Sequence, residues 1–423
     1  MTNPGKGFHG LGIAPGILDI LSKMKITTPT PIQERSIPIA MEKNDMMGIA
    51  QTGTGKTLAF GIPLVQHALQ GASLALVVVP TRELALQVGE TLFKLGAKLN
   101  IRTATLIGGE PIWRQTKDLA RAPHIVVGTP GRIIDHMEQK HISFGKLDAL
   151  VLDEADRMLD MGFAPQLKRI LSSLPKRRQT MFFSATMPQE IVKLAKEYLK
   201  LPVRVEIARS GTTAENVTHE MFFVAQEEKS RLLEKILYDY KGSVLVFCKM
   251  KHGAKRIVTQ VRSLGHAAAE IHSNRTLNQR REALEGFKAG RYRVLVATDV
   301  ASRGIDVTNI ELIVNYDLPS SAEDYVHRIG RTGRAGRSGH AISFARPNER
   351  GDIRAIERLI RITLPVSRLP ELPPTRAIKT SERAERAMRG RPPRRDTRPA
   401  GRTSRARFGG PSRGPRNFTR RRR

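Results

Sequence analysis

Short apolar runs alternate with longer amphipathic segments along most of the chain, in two successive stretches. The apolar runs lie at 74–79, 124–127, 149–152 and 180–184 in the first stretch, and at 243–248, 293–298, 311–315 and 341–344 in the second. They are apolar throughout, which is typical of parallel strands covered on both faces. The intervening segments with helical spacing include 82–95, 189–199, 252–264 and 277–288. The sequence therefore predicts two doubly wound α/β domains in tandem.

The first stretch combines a glycine-rich loop with a later apolar run that ends in two acids. The loop reads Ala50-Gln51-Thr52-Gly53-Thr54-Gly55-Lys56-Thr57, and the run ends in Asp153 and Glu154. Backbone N–H groups of such a loop cradle phosphates, the lysine neutralises them, and the threonine hydroxyl can ligate Mg²⁺. Asp153 would hold the same ion, and Glu154 would orient or deprotonate the attacking water. The two motifs in this order predict hydrolysis of a nucleoside triphosphate.

The charge of the chain constrains its partner. Over 423 residues, 71 Lys and Arg stand against 40 Asp and Glu, a formal net charge of +31. So much positive charge implies a polyanion, either nucleic acid or an acidic membrane surface. No apolar run approaches the roughly 20 residues of a spanning helix. Because no amphipathic helix or lipidation signal accompanies the basic tail, we expect nucleic acid and no membrane partner.

Cysteine use and the N-terminus bear on the compartment. Cys248 is the single cysteine and lies in an apolar run, so we interpret it as an inert core thiol. One cysteine excludes a disulfide framework and fits a reducing compartment. The N-terminus lacks the apolar region of a signal peptide. We therefore expect a cytoplasmic location.

Composition divides the chain further. Small and polar residues interrupt both periodicities at 208–214, which predicts a first domain at 1–208, a linker at 209–216 and a second domain at 217–368. Residues 369–423 are rich in Arg, Pro and Gly, and 371–423 hold 18 Lys and Arg against 4 Asp and Glu. Such a composition cannot bury enough apolar surface to fold, so we predict a disordered tail. An arginine-rich nucleic-acid tether is favoured, with a solubilising tail as the alternative.

Further motifs accompany the loop and the acids. In order they are Pro80-Thr81-Arg82-Glu83-Leu84-Ala85, Gly108-Gly109, Thr129-Pro130-Gly131-Arg132, Ser184-Ala185-Thr186, Ala297-Thr298-Asp299, Arg303-Gly304-Ile305-Asp306 and His327-Arg328-Ile329-Gly330-Arg331-Thr332-Gly333-Arg334. With Asp-Glu-Ala-Asp at 153–156, they closely resemble the DEAD-box RNA helicases over about residues 8–368. The short Arg/Gly tail looks most like the bacterial RhlE type. The resemblance implies two RecA-like domains that use ATP and Mg²⁺.

On this resemblance, the nucleotide site combines residues of both domains. Thr28-Pro29-Thr30-Pro31-Ile32-Gln33 resembles the Q motif of the family, in which Gln33 would bond to the adenine edge and Phe8 would stack on the base. The family often has glycine where this chain has Lys25. Arg331 and Arg334 would reach the γ-phosphate as arginine fingers, and Asp306 would contact the ribose. Asp156 would couple this site to Ser184 and Thr186, and His327 would link the two domains.

The resemblance also places RNA contacts in both domains. Binding without sequence preference should use phosphates and sugars, and the matching residues are Arg82, Gly108, Gly109, Thr129, Arg132, Arg280, Thr298 and Arg303. The family often has glutamine three residues before Arg280, where this chain has Leu277. Trp113, after the glycine pair, could stack on a base, but we favour helix packing for it. The resemblance implies RNA as the substrate, single-stranded or in short duplexes. Ribosomal precursors and RNA-decay machinery are the candidate contexts, and we expect a monomer.

These features predict an ATP-dependent RNA helicase that closes two domains on single-stranded RNA and separates short duplexes locally. Two alternatives stay open. One is an RNA annealer or scaffold whose tail does most of the work, although Glu154, Arg331 and Arg334 argue against it. The other is a DNA helicase of the same superfamily, against which Gln33 and Asp-Glu-Ala-Asp argue.

Overall fold

Two parallel sheets organise the computed structural model, which describes residues 7–51, 53–71, 74–207, 217–299, 310–333 and 338–374. The first sheet has the order β3-β4-β2-β5-β6-β1-β7. Its strands are β1 Met46–Ile49, β2 Ala75–Val78, β3 Thr103–Leu106, β4 Ile125–Gly128, β5 Ala149–Asp153, β6 Gln179–Ser184 and β7 Val203–Glu206. Every neighbouring pair in it is parallel.

The second sheet has the order β10-β11-β9-β12-β13-β8 and is also parallel throughout. Its strands are β8 Val217–Phe223, β9 Val244–Phe247, β10 Ala268–Ile271, β11 Val294–Ala297, β12 Leu312–Asn315 and β13 Gly339–Ala345. All eight strands named from the sequence are present in the two sheets, with ends that differ by one or two residues. The prediction of two doubly wound α/β domains is confirmed.

Helices connect the strands in both domains. In the first domain they are α1 Pro15–Lys23, α2 Pro31–Met41, α3 Lys56–Leu69, α4 Arg82–Gly96, α5 Ile112–Leu119, α6 Pro130–Glu138, α7 Ala155–Asp160, α8 Ala164–Ser173 and α9 Gln189–Tyr198. In the second domain they are α10 Lys229–Asp239, α11 Lys251–Ser263, α12 Leu277–Lys288, α13 Ala322–Ile329 and α14 Arg350–Ile360. None of the helices in the described part of the chain has the length and hydrophobicity needed to cross a bilayer.

Alternate residues of the central strands build separate cores on the two faces of each sheet. In β2, Leu76 and Val78 belong to one apolar cluster, whereas Val77 lies in the cluster on the opposite face. In β9, Val246 and Leu245 are divided in the same way. Successive side chains of a strand point to opposite faces, so strands covered on both sides must be apolar at every position. This packing explains the uninterrupted apolar runs of the sequence.

One predicted boundary of the second domain differs from the structure. The predicted linker 209–216 lies outside the described residues, as does the predicted tail beyond residue 374. Residues 369–374 belong to the start of that predicted tail, but they are held on the second domain. Leu372 packs against one of its apolar clusters, and Arg231 donates to the carbonyls of Leu372 and Pro373 at 3.3 and 2.6 Å. The contacts of the second domain therefore extend past the predicted boundary at 368.

Candidate active site

The strand order of the first sheet separates its motifs into two neighbouring groups. The glycine-rich loop, the two acids and Ser184 follow β1, β5 and β6, which are adjacent in the sheet. Arg82, Gly108 and Thr129 follow β2, β3 and β4, which form the other half. In an open parallel sheet, ligands bind beyond the carboxyl ends of the strands. The carboxyl ends of these strands therefore carry two neighbouring sites, one around the phosphate loop and one around the glycine pair.

The phosphate loop leads directly into α3. Gly53 and Gly55 have φ values of +89° and +91°, which side chains rarely adopt. A Cβ at Gly55 would also lie 2.3 Å from Gln33 Nε2. Lys56 is buried, and its Nζ donates to the Ala50 carbonyl at 2.9 Å. The loop thus holds a lysine at a helix N-terminus, where anions bind; Thr52 lies outside the described residues.

Gln33 joins the start of α2 to the phosphate loop. Its Oε1 accepts from the Thr30 backbone N–H at 2.9 Å, and its Nε2 donates to the Gly55 carbonyl at 3.0 Å. Where the family often has glycine, Lys25 has a φ of +59°, so this turn keeps the left-handed backbone. Phe8 is only 3% exposed and lies in the apolar cluster of the first domain. The adenine contacts of Gln33 and Phe8 stay predictions.

The two acids have opposite pKa shifts although they are adjacent. Burial raises the pKa of Asp153 to about 6, and the positive charge of Lys56 limits the rise. Burial acts the same way on Glu154, but Arg157 and Lys56 outweigh it and lower the pKa of Glu154 to about 2. Arg157 Nη1 lies 2.8 Å from Glu154 Oε2. A carboxylate that is so firmly ionised is a weak base, so the geometry favours orientation of a water over its deprotonation.

Asp156 connects the nucleotide motifs to the end of β6. Its Oδ2 accepts from the backbone N–H groups of Ala185 and Thr186 at 3.1 and 2.8 Å, and from Thr186 Oγ1 at 2.8 Å. Its own backbone N–H donates to Ser184 Oγ at 3.3 Å. The contacts expected between Asp156, Ser184 and Thr186 are all present. These hydrogen bonds fasten the start of α7 to the segment that follows β6.

The second domain brings His327 and Arg331 to these acids. Arg331 is 2% exposed, and its charge contributes to the low pKa of Glu154. His327, near the end of α13, has its pKa lowered to about 4 by burial and by Arg157, which outweigh Asp156 and Glu154. Both residues thus lie within electrostatic range of charged side chains of the first domain. Arg334 and Asp306 lie outside the described residues.

A cleft of about 1440 Å³ opens between the domains beside the phosphate loop and the segment that follows β6. Its lining includes Thr30, Ala50, Thr54 and Thr186 from the first domain, and Thr298 and Asp299 from the second. Ligand pockets for small molecules commonly occupy about 300–1,000 Å³ and often lie at domain interfaces. The cleft is large enough for a nucleotide and lies next to the phosphate loop.

The second group of motifs forms a basic surface around the glycine pair. The Arg82 guanidinium lies so close to Gly108 and Gly109 that a Cβ at Gly109 would be 2.5 Å from Nη1. Arg132 Nη1 donates to the Glu110 carbonyl at 3.1 Å. Thr129 immediately precedes α6. Four of the predicted RNA contacts, Arg82, Gly108, Gly109 and Arg132, therefore meet in one place, with Thr129 at the adjoining helix start.

The RNA residues predicted in the second domain are placed differently. Arg280 Nη2 pairs with Glu83 Oε2 of the first domain at 2.9 Å, so this guanidinium already has an acidic partner. Thr298 is buried at the end of β11, and its N–H donates to the Ile271 carbonyl at 3.2 Å. Arg303 lies outside the described residues. RNA contacts of Arg280 and Thr298 stay predictions.

Sequence reasoning missed several residues that support the site. Arg157 pairs with Glu154, and Arg328 pairs through Nε and Nη2 with the Asp299 carboxylate at 2.6 and 2.7 Å. Glu83 pairs with Arg280, although no role was predicted for Glu83. The spacing of Glu154 and Arg157, three residues apart at a helix start, was an available signal. The other two pairs join distant segments, so no local pattern announces them.

Comparisons with known proteins agree with this geometry. The model "DEAD/DEAH box helicase" matches residues 30–194, and "Helicase conserved C-terminal domain" matches residues 228–336. The rRNA helicase RRP3 of Debaryomyces hansenii is 42% identical over 364 residues, covering 85% of this chain and 76% of RRP3. The RNA helicase DbpA of Bacillus subtilis is 42% identical over 356 residues, covering 84% and 74%.

A solved structure has a similar fold over most of this chain. Saccharomyces cerevisiae Dbp5 bound to RNA and ADP BeF3 matches with a TM-score of 0.76 and 31% identity, covering 86% of this chain and 96% of Dbp5. The match supports the two RecA-like domains inferred from the motifs. By motif order, strand order and these relatives, the chain belongs to the DEAD-box family of ATP-dependent RNA helicases.

Proposed function

We propose that this chain uses ATP to close its two domains on single-stranded RNA, and that closure separates short duplexes or remodels RNA–protein complexes. The observation that carries the proposal is the position of His327 and Arg331. Both belong to the second domain and lie within electrostatic range of first-domain acids, because the charge of Arg331 lowers the pKa of Glu154, and Asp156 and Glu154 act on the pKa of His327. A nucleotide site completed by a second domain makes hydrolysis depend on closure.

The described residues of the nucleotide site have tasks that their geometry supports, whereas the roles given to Arg334 and Asp306 rest on the motifs alone. Lys56 neutralises phosphate charge beside the N–H groups of the glycine loop. Glu154, ionised by Arg157, orients the attacking water. Arg331 approaches from the second domain and stabilises negative charge on the transferring phosphoryl group, an effect worth about 10³–10⁵ in rate for arginine fingers. We assign the same role to Arg334 and a ribose contact to Asp306.

The residues also fit a magnesium ion. The Asp153 carboxylate is buried beside the phosphate loop, and burial raises its pKa, so a cation nearby would stabilise its ionised form. Hard oxygen ligands of this kind suit Mg²⁺, which is usually held by one or two protein oxygens together with substrate phosphates. We propose that Thr57 and Asp153 hold the ion, which would neutralise phosphate charge.

The basic surface around Gly108 and Gly109 is proposed to hold the RNA backbone. Arg82 and Arg132 supply charged donors, and the glycines permit close approach of the chain. Contacts of this type read no base edges, so binding should be largely independent of sequence. Preference for RNA would depend on the 2′-OH groups and an A-form-like backbone. A basic tail beyond residue 374 would add a tether.

The subfamily, the RNA substrate, the compartment and the oligomeric state are also proposals. From the compact core and the basic tail, we propose the RhlE type. Ribosomal precursors are supported as substrates by the relatives named rRNA helicases, and RNA-decay machinery stays a second context. Cys248 is buried, and burial raises the pKa of its thiol to about 12, which supports an inert core thiol. We propose a cytoplasmic location from the single cysteine and the sequence of the N-terminus. We propose a monomer.

An unwinding assay tests the proposed function. A short RNA duplex with a single-stranded overhang should separate when ATP is added, and a DNA duplex of the same sequence should not. Arg331→Lys should abolish ATP-dependent separation, because a lysine cannot reproduce the planar guanidinium. Equal separation with ADP, or by the Arg331→Lys variant, would contradict the mechanism and favour the annealer.

A further inference from the structure

Trp113 is exposed although large aromatic side chains usually bury most of their surface. It is the only tryptophan of the chain and the second residue of α5. Its side chain is 62% exposed, whereas Gln115 and Leu119 form the buried face of the same helix. The interpretation of Trp113 as a helix-packing residue is therefore wrong. An exposed indole on a regular helix needs another explanation.

Helix α5 is fixed to the loop that carries the glycine pair. Gln115 Nε2 donates to the Ile107 carbonyl at 2.8 Å, and Gln115 Oε1 lies 3.2 Å from Nε2 of the buried His136 on α6. The Glu110 carbonyl, three residues before Trp113, accepts from Arg132. Trp113 thus lies four residues after Gly109, on a helix held in place by buried hydrogen bonds.

Contact between the domains leaves the indole exposed. Glu110 Oε1 lies 3.7 Å from Arg281 Nη2 of the second domain, so the two domains meet directly beside α5. Trp113 keeps its 62% exposure with both domains in place. The side chain is therefore accessible in the arrangement in which RNA would be held.

The charges around Trp113 suit a polyanion. The Arg114 guanidinium lies 5.3 Å from the centroid of the Trp113 ring, and Lys117 is exposed one turn further along α5. The nearby acids are paired with arginines, Glu110 with Arg281 and Asp118 with Arg121 at 3.8 Å. An exposed aromatic ring between basic side chains is the arrangement with which proteins stack bases of single strands.

We propose that Trp113 is a stacking platform for a base of the RNA strand that passes Gly108 and Gly109. The indole face would cover one unpaired base, and Arg114 and Lys117 would attract the adjoining phosphates. Stacking tolerates any base because every base has a π-face. The proposal rests on the proposed function and adds a base contact to a surface that otherwise holds the backbone.

The fluorescence of the full-length protein tests this contact directly, because Trp113 is its only tryptophan. Single-stranded RNA is titrated in the presence of a non-hydrolysable ATP analogue, while binding is followed separately by anisotropy of a labelled RNA. The stack predicts quenching of the tryptophan emission with the same midpoint as the anisotropy. RNA with abasic sites throughout should bind without comparable quenching.

Variants separate stacking from folding. Trp113→Ala should weaken RNA binding between about 5- and 150-fold, the range of one lost base–aromatic stack, and Trp113→Phe should restore most of the affinity. Phe93→Ala is the matched control. Phe93 is 59% exposed, but it lies near the other end of α4 from Arg82, about 16 Å along the helix at 1.5 Å per residue. This control should bind RNA like the wild type.

The results of these experiments distinguish failure of the stacking proposal from failure of the proposed function. Unchanged tryptophan emission during RNA binding, with Trp113→Ala as tight as the wild type, would overturn the stacking proposal and leave the proposed function intact. It would also direct attention to a protein partner for the indole. Failure of the wild type to bind single-stranded RNA would overturn both.

Discussion

Among single residues, the surroundings of Asp153 and Glu154 determine how readily each carboxyl group ionises. Asp153 and Glu154 are neighbours in the chain and are both buried, yet burial prevails at the first and Arg157 at the second. Opposite charges within a few ångströms favour the ionised form, whereas burial disfavours it. Arg157 therefore holds Glu154 ready as an acceptor, and this is a positioning role because Arg157 acts through another residue.

Arg157→Gln should make the rate sensitive to acid. In the wild type the pKa of Glu154 is lowered to about 2, so Glu154 stays ionised and imposes no loss of rate in the working range. Without Arg157, burial raises this pKa, and activity should fall as pH drops through the new value. The measurement is the RNA-stimulated kcat between about pH 5 and 8.

A matched control exists for this change. Arg169 pairs with Glu138 at 2.5 Å, but both side chains are more than half exposed, and such pairs contribute little. Arg169→Gln should keep the wild-type pH profile. An Arg157→Gln profile that is also unchanged would show that Glu154 does not depend on this arginine.

At the scale of elements, α12 forms a contact that joins the two domains. Leu277, Arg280 and Arg281 follow a spacing of three and four residues, so they share one helix face. Leu277 is 5% exposed and packs in an apolar cluster of the first domain, while Arg280 and Arg281 pair with Glu83 and Glu110. At position 277, where the family often has glutamine, this chain has a leucine whose apolar side chain packs across the interface.

Leu277→Ala should weaken closure more than it weakens folding. A fully buried leucine contributes about 1.5–3 kcal/mol, and here the burial depends on contact with the other domain. We expect roughly tenfold or more RNA to be needed for half-maximal closure, measured by energy transfer between dyes on the two domains. Leu284→Ala removes a leucine that packs within the second domain, so it should lower thermal stability but leave the closure midpoint unchanged. Equal midpoints for wild type and Leu277→Ala would contradict the role of α12.

The elements also show how far a sequence determines a fold. Central strands such as β2 and β9 are apolar on both faces, so their composition alone identified them. The edge strands β3 and β7 have residues that are partly or largely exposed, and their mixed composition does not stand out. Likewise, the acids and the loop were recognisable from local spacing, whereas the Arg280–Glu83 pair is formed only when the second domain meets the first.

At the scale of the whole molecule, closure should respond to pH through His327. Its pKa is lowered to about 4 where it packs beside Arg157 and Arg331, against an ordinary value of 6.5. At a pH between these two pKa values, His327 would bind a proton in an opened form but not in the closed form. Closure therefore weakens as pH falls from about 6.5 towards 4. Above about 6.5 both forms are neutral and the effect disappears.

The closure midpoint measured against pH tests this linkage. The wild type should need up to about tenfold more RNA per pH unit in that window, and His327→Gln should lose most of the dependence. His136, whose pKa burial also lowers to about 4, lies within the first domain, so His136→Gln should leave the pH dependence of closure in place. A His327→Gln variant with the wild-type slope would assign the effect to other groups.

Steady-state ATP hydrolysis, measured with and without single-stranded RNA and beside DNA of matched sequence, tests whether closure on RNA completes the ATP site. We expect strong stimulation by RNA alone, and a loss of about 10²-fold in Glu154→Gln, because the neutral amide accepts less strongly than the carboxylate and orients the water less well. For Arg331→Lys we expect a loss of about 10³-fold or more. Hydrolysis that is indifferent to RNA, or equally stimulated by DNA, in a protein that still binds RNA tightly would contradict a helicase whose ATP site is completed by closure on RNA.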